Sequence, residues 1–189
     1  MPDVKELYRR ALEQFGRHVN QVRDDQWNGP TPCTEWDVRV LVNHLVSENL
    51  WMPPLLEGKK IADVGDRFEG DLLGDDPKSA WNQSAKESGA AVRSAPLDAI
   101  VHLSYGDMPA QHYVSEVMTD LAIHGWDLAR AIGDDEVIDP EIVELLHGEL
   151  KPKEDELKST GLFGPKVEAP PGADKQTQVL AIFGRVAQG

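Results

Sequence analysis

Between Asp3 and Val22, apolar side chains fall at three- and four-residue steps: Val4, Leu7, Tyr8, Leu12, Phe15 and Val19, with charged residues between them. That is the period of a helix with one buried face. Asn28-Gly29-Pro30-Thr31-Pro32 breaks the pattern. A second stripe, Val38, Leu41, Val42, Leu45 and Val46, predicts a helix beginning near Thr34. Thr34 would cap it, Glu35 and Asp37 would meet its N-terminal dipole, and Pro53-Pro54 would end or kink it. From Gly58 to Gly74 no period is visible, which reads as a loop with room for a short helix. Asp76-Pro77 opens a third helix to about Ala95, with only a weak apolar face. Ile100 to Tyr105 reads as a short extended piece, and Gly106 to Pro109 as a turn. The strongest periodicity follows from Pro109 to about Ile132, with Tyr113, Val117, Leu121, His124 and Leu128 on one stripe, closed by Gly133-Asp134-Asp135. Asp139 caps a helix from Pro140 to about Leu150. Lys151 to Asp174 is polar and mostly loop, and Lys175 to Gly184 is a last short helix. With almost no strand signal, these elements predict an all-α bundle.

The chain has 189 residues, which favours a single domain over residues 1–189. Its formal net charge of −14 argues against nucleic acid and anionic membranes as partners. One cysteine, Cys33, excludes an internal disulfide and an all-cysteine zinc site, and fits a reducing compartment. Met1 to Glu6 lacks the pattern of a secretory leader, and the longest apolar run, Val179 to Phe183, is far below a membrane span. A cytoplasmic location is the expectation.

No phosphate loop, dinucleotide fingerprint, paired CxxC, HExxH or GxSxG is present. One arrangement remains. Asp120 and His124 lie four residues apart on the strongest helix, on the face that carries Val117, Leu121 and Leu128. A carboxylate turned inward is costly unless paired or bound to a metal. His44 lies inside the second apolar stripe. Two histidines and a carboxylate from two helices make a three-ligand set that leaves coordination positions open. It suits zinc, and also iron(II) or nickel. The bland alternatives are a hydrogen-bonded core histidine, and an Asp120 paired with Arg130 or a lysine.

Two segments carry a resemblance. Pro30-Thr31-Pro32-Cys33-Thr34-Glu35-Trp36-Asp37-Val38-Arg39, leading into Leu41-Val42-Asn43-His44-Leu45-Val46, resembles the N-terminal signature of the mycothiol-dependent maleylpyruvate isomerase-like family. Asp120 to Ala131 resembles its second signature, and Ala181-Ile182-Phe183-Gly184-Arg185 the tail of its actinobacterial metal-binding members. The family belongs to the DinB-like thiol-dependent, metal-binding four-helix bundles. The resemblance implies an up-down-down-up bundle with one long crossover, and metal ligands at His44, Asp120 and His124. Its isomerases usually carry Glu where this chain has Asp120. They also have an additional C-terminal domain that supplies an arginine, and this sequence is expected to stop short of one. What the resemblance implies is therefore metal-dependent use of a low-molecular-weight thiol, mycothiol, on a small electrophile, by transferase or isomerase chemistry. A non-catalytic metal-binding bundle is the alternative. The implied partners are small molecules, with a homodimer as candidate assembly.

A thiol is mostly protonated at neutral pH, and coordination to a divalent metal removes that proton. Asp127, one turn beyond His124, and Glu48, one turn beyond His44, are candidates for orienting or proton-handling roles, against the simpler reading of solvated helix charges. His102 and His112 flank the turn before the ligand helix as pocket-lining or surface residues. Cys33 reads as structural. Of five tryptophans, Trp126 and Trp51 are the candidates for a pocket wall.

Overall fold

The computed structural model describes residues 3–155, 157 and 167–187. The chain divides by its contacts into two compact units, Met1–Glu136 and Val137–Gly189.

The first unit holds four long helices. Helix α1, Val4–Gln21, starts where the carboxylate of Asp3 accepts a hydrogen bond from the Lys5 N–H. Its stripe of Leu7, Tyr8, Phe15 and Val19 is buried to about the last atom. Helix α2, Val38–Leu56, starts later than the sequence suggests. Asp37, not Thr34, caps it, accepting from the Val40 N–H at 2.8 Å. The delay has a local cause. The Trp36 N–H donates to the Cys33 carbonyl, and the Thr31 hydroxyl donates to the Trp36 carbonyl at 2.8 Å, closing a turn that cannot continue into a helix. Pro53 and Pro54 lie within α2 and do not stop it before Leu56. They fall in the last turn, where few backbone bonds remain to be lost.

A one-turn helix, α3, Ile61–Val64, interrupts the following loop. Helix α4, Pro77–Ser94, is capped by Asp76, which accepts from the Ser79 N–H. Its buried face is Trp81, Ser84, Ser88 and Val92, so half the stripe is serine and hydrophobicity alone underrates it. Those serines meet Tyr8 and Asn49 in a closed polar cluster. The Tyr8 and Ser88 hydroxyls are 2.7 Å apart, Ser88 donates to Asn49 at 3.1 Å, Asn49 donates to Ser84 at 3.3 Å, and Ser84 donates to the Trp81 carbonyl.

The expected extended piece and turn form a two-stranded antiparallel hairpin, β1 Ile100–Leu103 with β2 Gly106–Pro109. Gly106 to Pro109 is therefore strand, and the reversal falls at Ser104 and Tyr105. Gly106 accepts the change of direction with φ of 140°, open to glycine and strained for other residues. The hairpin runs into α5, Ala110–Ile132, which ends on Gly133 in the left-handed conformation. Every residue from Leu121 to Ala129 is buried, polar ones included. Helix α1 packs against α5 and α4, and α2 packs against α4 and α5, so the four long helices enclose one core.

In the second unit, α6, Pro140–Leu150, is capped by Asp139 and continues into a 3₁₀ turn, Lys151–Lys153. The start of the expected loop is thus helical, while residues 156 and 158–166 of it lie outside the described residues. Helix α7, Lys175–Ile182, packs against α6. Lys175 bonds Glu144 and His147 meets Gln178 at 3.2 Å. Among the described residues, no helix is long and apolar enough to cross a membrane.

Candidate metal centre

Three side chains converge from two helices. His44 projects from α2, and Asp120 and His124 from one face of α5. One potential ligand atom of each lies within 4.8 Å of the other two. Among the described residues, no other set of three His, Cys, Asp or Glu side chains converges in this way. The Nε2 of His44 is 2.9 Å from Oδ2 of Asp120. Arg130, an alternative partner for Asp120, pairs with Glu136 at 2.9 Å and lies over the Trp126 ring.

Asp127 is fully buried and lies 3.0 Å from Nδ1 of His124. This corrects the reading of Asp127 as a solvated helix charge. A carboxylate in that position accepts the Nδ1–H of a neutral imidazole and leaves the Nε2 lone pair directed away from it. Metal-binding histidines are oriented in this way. The donor chemistry fits a divalent ion: two imidazole nitrogens and a carboxylate, with His124 held in one tautomer. The ligand atoms of a tetrahedral zinc lie about 3.3–3.5 Å apart, given bonds of about 2.0–2.2 Å, so a modest contraction of the trio would complete the set.

Trp36 forms a wall of the site. Its ring centroid is 4.9 Å from His44 and 5.4 Å from His124, and the two imidazoles meet edge-on at 5.4 Å. The turn that delays α2 is what places Trp36 there. The two tryptophans singled out from the sequence lie elsewhere in their ring contacts: Trp51 packs edge-on against Phe68, and Trp126 lies under Arg130. His102 pairs with Asp107 on the hairpin at 2.8 Å, and His112 is exposed on α5, so neither joins the trio.

The electrostatics of the pair and its neighbour are opposed. Burial by itself would lower the pKa of His44, but the hydrogen bond and charge of Asp120, helped by Glu48, outweigh it and leave it raised. Glu48 is also shifted upward, first by burial, then by the nearby Asp120 and Glu116, against the opposing pull of His44. Glu48 is half-buried and borders a cavity of about 200 Å³ beside Asp120, together with Tyr105, Tyr113, Glu116 and Val117.

Helical packing and an inward cluster of two histidines and one carboxylate define a helical protein with a potential metal-binding centre. The mycothiol maleylpyruvate isomerase N-terminal domain matches residues 8–129, and the chain belongs to that family. The uncharacterized proteins MT0763 and Rv0738 of Mycobacterium tuberculosis, from strains CDC 1551 / Oshkosh and ATCC 25618 / H37Rv, are each 30% identical to it over 199 residues, covering 96% of this chain and 97% of theirs. A crystal structure of the mycothiol-dependent maleylpyruvate isomerase superposes with a TM-score of 0.66 at 16% identity, covering 92% of this chain and 79% of that one. A histidine-to-alanine variant of it superposes with a TM-score of 0.65 over the same shares. The fold is DinB-like, as the sequence resemblance implies.

Proposed function

We propose that His44, Asp120 and His124 hold a divalent metal and that the protein uses it to activate a low-molecular-weight thiol, mycothiol, against a small electrophile. The observation that carries this reading is the buried Asp127 behind His124. It pairs with one nitrogen of an imidazole that converges with a second imidazole and a carboxylate, an arrangement suited to coordination. Zinc suits the donor set best, with nickel and iron(II) as the other candidates. When bound, the ion supplies Lewis acidity that lowers the pKa of a coordinated thiol.

The chain's own residues do the rest. Asp127 keeps His124 in its Nε2-ligating tautomer. Trp36 covers both imidazoles and excludes water from that side. Glu48, with its raised pKa and its place beside Asp120, is positioned to receive a proton when the thiol ionises. Whether the outcome is transfer or isomerisation depends on the electrophile.

The test is metal analysis of untagged protein, followed by mycothiol-dependent consumption of monochlorobimane. About one metal ion per chain and turnover that requires both metal and thiol are expected. Fully loaded protein with no thiol-dependent turnover would sink the catalytic reading and favour a structural or sensing metal.

A further inference from the structure

We propose that the groove between α1 and α4 is a docking site for an acidic amphipathic helix of a partner protein. The groove, about 860 Å³, lies on the two long helices that do not carry the metal trio, so the proposal stands apart from the metal–thiol reading. The Lys5 ammonium donates to the Ala95 carbonyl at 2.6 Å, and Lys78 donates to the Asn20 carbonyl at 3.0 Å. Each end of α1 therefore meets the opposite end of α4, and the two helices run antiparallel. The lining extends from Arg9 to Gln21 on α1 and from Trp81 to Arg93 on α4. At a rise of 1.5 Å per residue each wall is roughly 18 Å long, which is room for about three turns of a third helix.

The floor of the groove is bare. Gly16 carries no side chain where the Trp81 indole nitrogen stands 2.9 Å from the place of a Cβ, and a Cβ at Gly89 would meet Leu12 at 3.5 Å. Gly16, Ala85 and Gly89 thus leave space above the buried Leu12 and Trp81 that larger side chains would fill. Such a floor lets another helix approach closely and calls for an apolar face against it.

The rims supply the charge. Arg9 and Arg17 stand about two turns apart on α1, and Lys86 and Arg93 about two turns apart on α4. Against these four cations the lining has one carboxylate, Glu13, which pairs with Arg9, as does Glu6 at 2.6 Å. Arg17, Lys86 and Arg93 are exposed, and none of them forms an ion pair with a described carboxylate. Arg17 contributes only its field to Asp134, and Glu87, beside Lys86 in sequence, is bonded by Gln83 instead. The whole chain carries −14, so this face inverts the sign of its charge. An acidic partner is drawn to the groove and repelled by the rest of the surface, which sets where it lands. Carboxylates two turns apart on a helix match the spacing on either rim, and an apolar stripe between them covers the floor, the helix-in-groove mode of recognition.

The experiment is fluorescence anisotropy of a labelled, alanine-rich synthetic peptide with a leucine stripe between glutamates two helical turns apart, titrated with the full chain at low salt. Saturable binding is expected, weakened at least about tenfold by Lys86→Glu, the scale of one charge contact at intermediate dielectric. Arg93→Glu is the second charge reversal, and serves if the first fails to fold by circular dichroism. Gly89→Trp, whose Cβ meets only an ordinary contact, should fill the groove and abolish binding while the spectrum stays helical. No saturable binding, or affinity undiminished by both charge reversals or by Gly89→Trp, would overturn the docking site. So would equal binding of the same peptide with lysine in place of glutamate or with a central proline, or tighter binding of a single-stranded thymidine oligonucleotide.

Discussion

Two polar groups of side chains lie among these helices, and they differ in one respect. Around Asn49, the Tyr8, Ser84 and Ser88 side chains are all at most 1% exposed, and each donor finds an acceptor inside the cluster. Around Asp120, the His44 and Asp120 side chains are 28% and 43% exposed, and His44 and Asp120 pair at 2.9 Å in a site that solvent reaches. A closed network specifies packing, since every capacity is spent within the fold. An open one retains capacity for something that arrives from outside. Polar residues in an apolar stripe are therefore ambiguous until their partners are known.

The comparison breaks most sharply at His124. His124→Ala is expected to bring metal content close to zero in elemental analysis while the far-ultraviolet circular dichroism stays helical. Retained stoichiometric metal would remove His124 from the ligand set. Next in size is Asp127→Asn, which keeps the shape but loses the charge behind the imidazole. Metal affinity, measured by competition with a chromogenic chelator, should fall about 10- to 100-fold.

On the closed side, Asn49→Ala should leave metal affinity unchanged and lower unfolding stability by about 1–3 kcal/mol, because the buried hydroxyls of Ser84 and Ser88 each lose one of their hydrogen bonds. Denaturant titration measures it. A loss of metal in this variant would erase the distinction between the two clusters.

A smaller effect concerns pH. His44 in the metal-free fold holds its proton more firmly than its ordinary value of 6.5, because Asp120 outweighs burial. The pair therefore stabilises the fold fully below the unfolded value and loses that contribution as pH rises from 6.5 through the raised value. Melting temperature of metal-free protein should drift downward over that window, and Asp120→Asn should flatten the drift. Solvent exposure of both side chains keeps the change modest. The smallest effect is at Trp36. Trp36→Phe should reduce metal affinity by no more than about tenfold, given the size of ring contacts, yet abolish most of the tryptophan fluorescence change on metal addition.

Much of the candidate site is legible along the chain, for particular reasons. The four-residue step from Asp120 to His124 guarantees a shared helix face, and the position of His44 within an apolar stripe turns it toward the core. Trp36 is legible only as part of the Cys33 to Asp37 segment that carries the family resemblance. Its contact with both imidazoles depends on a turn made by Thr31 and Cys33, and no periodicity announces such a turn. Tyr113 sits on the visible α5 stripe, where it reads as one more core residue, and its place in the lining of a small cavity is a matter of what stands opposite. Asp127 is the clearest failure of local reasoning. One turn beyond a histidine, a carboxylate is ordinarily solvated, and it is buried here because α5 is covered all round from Leu121 to Ala129.

The amino-acid order alone determined the long helices, the caps at Asp76 and Asp139, and the shared helix face of Asp120 and His124. These depend on interactions between residues a few positions apart, and a linear pattern records those in full. Only the tertiary structure decided that α2 and α5 bring the three together, that Asp127 stands behind His124, that Trp36 covers the imidazoles, and that the hairpin brings Tyr105 to Glu116. Asp127 is one turn from His124, but its burial, like the other meetings, is set by how helices pack and how loops close, and packing geometry leaves no periodic trace in the chain.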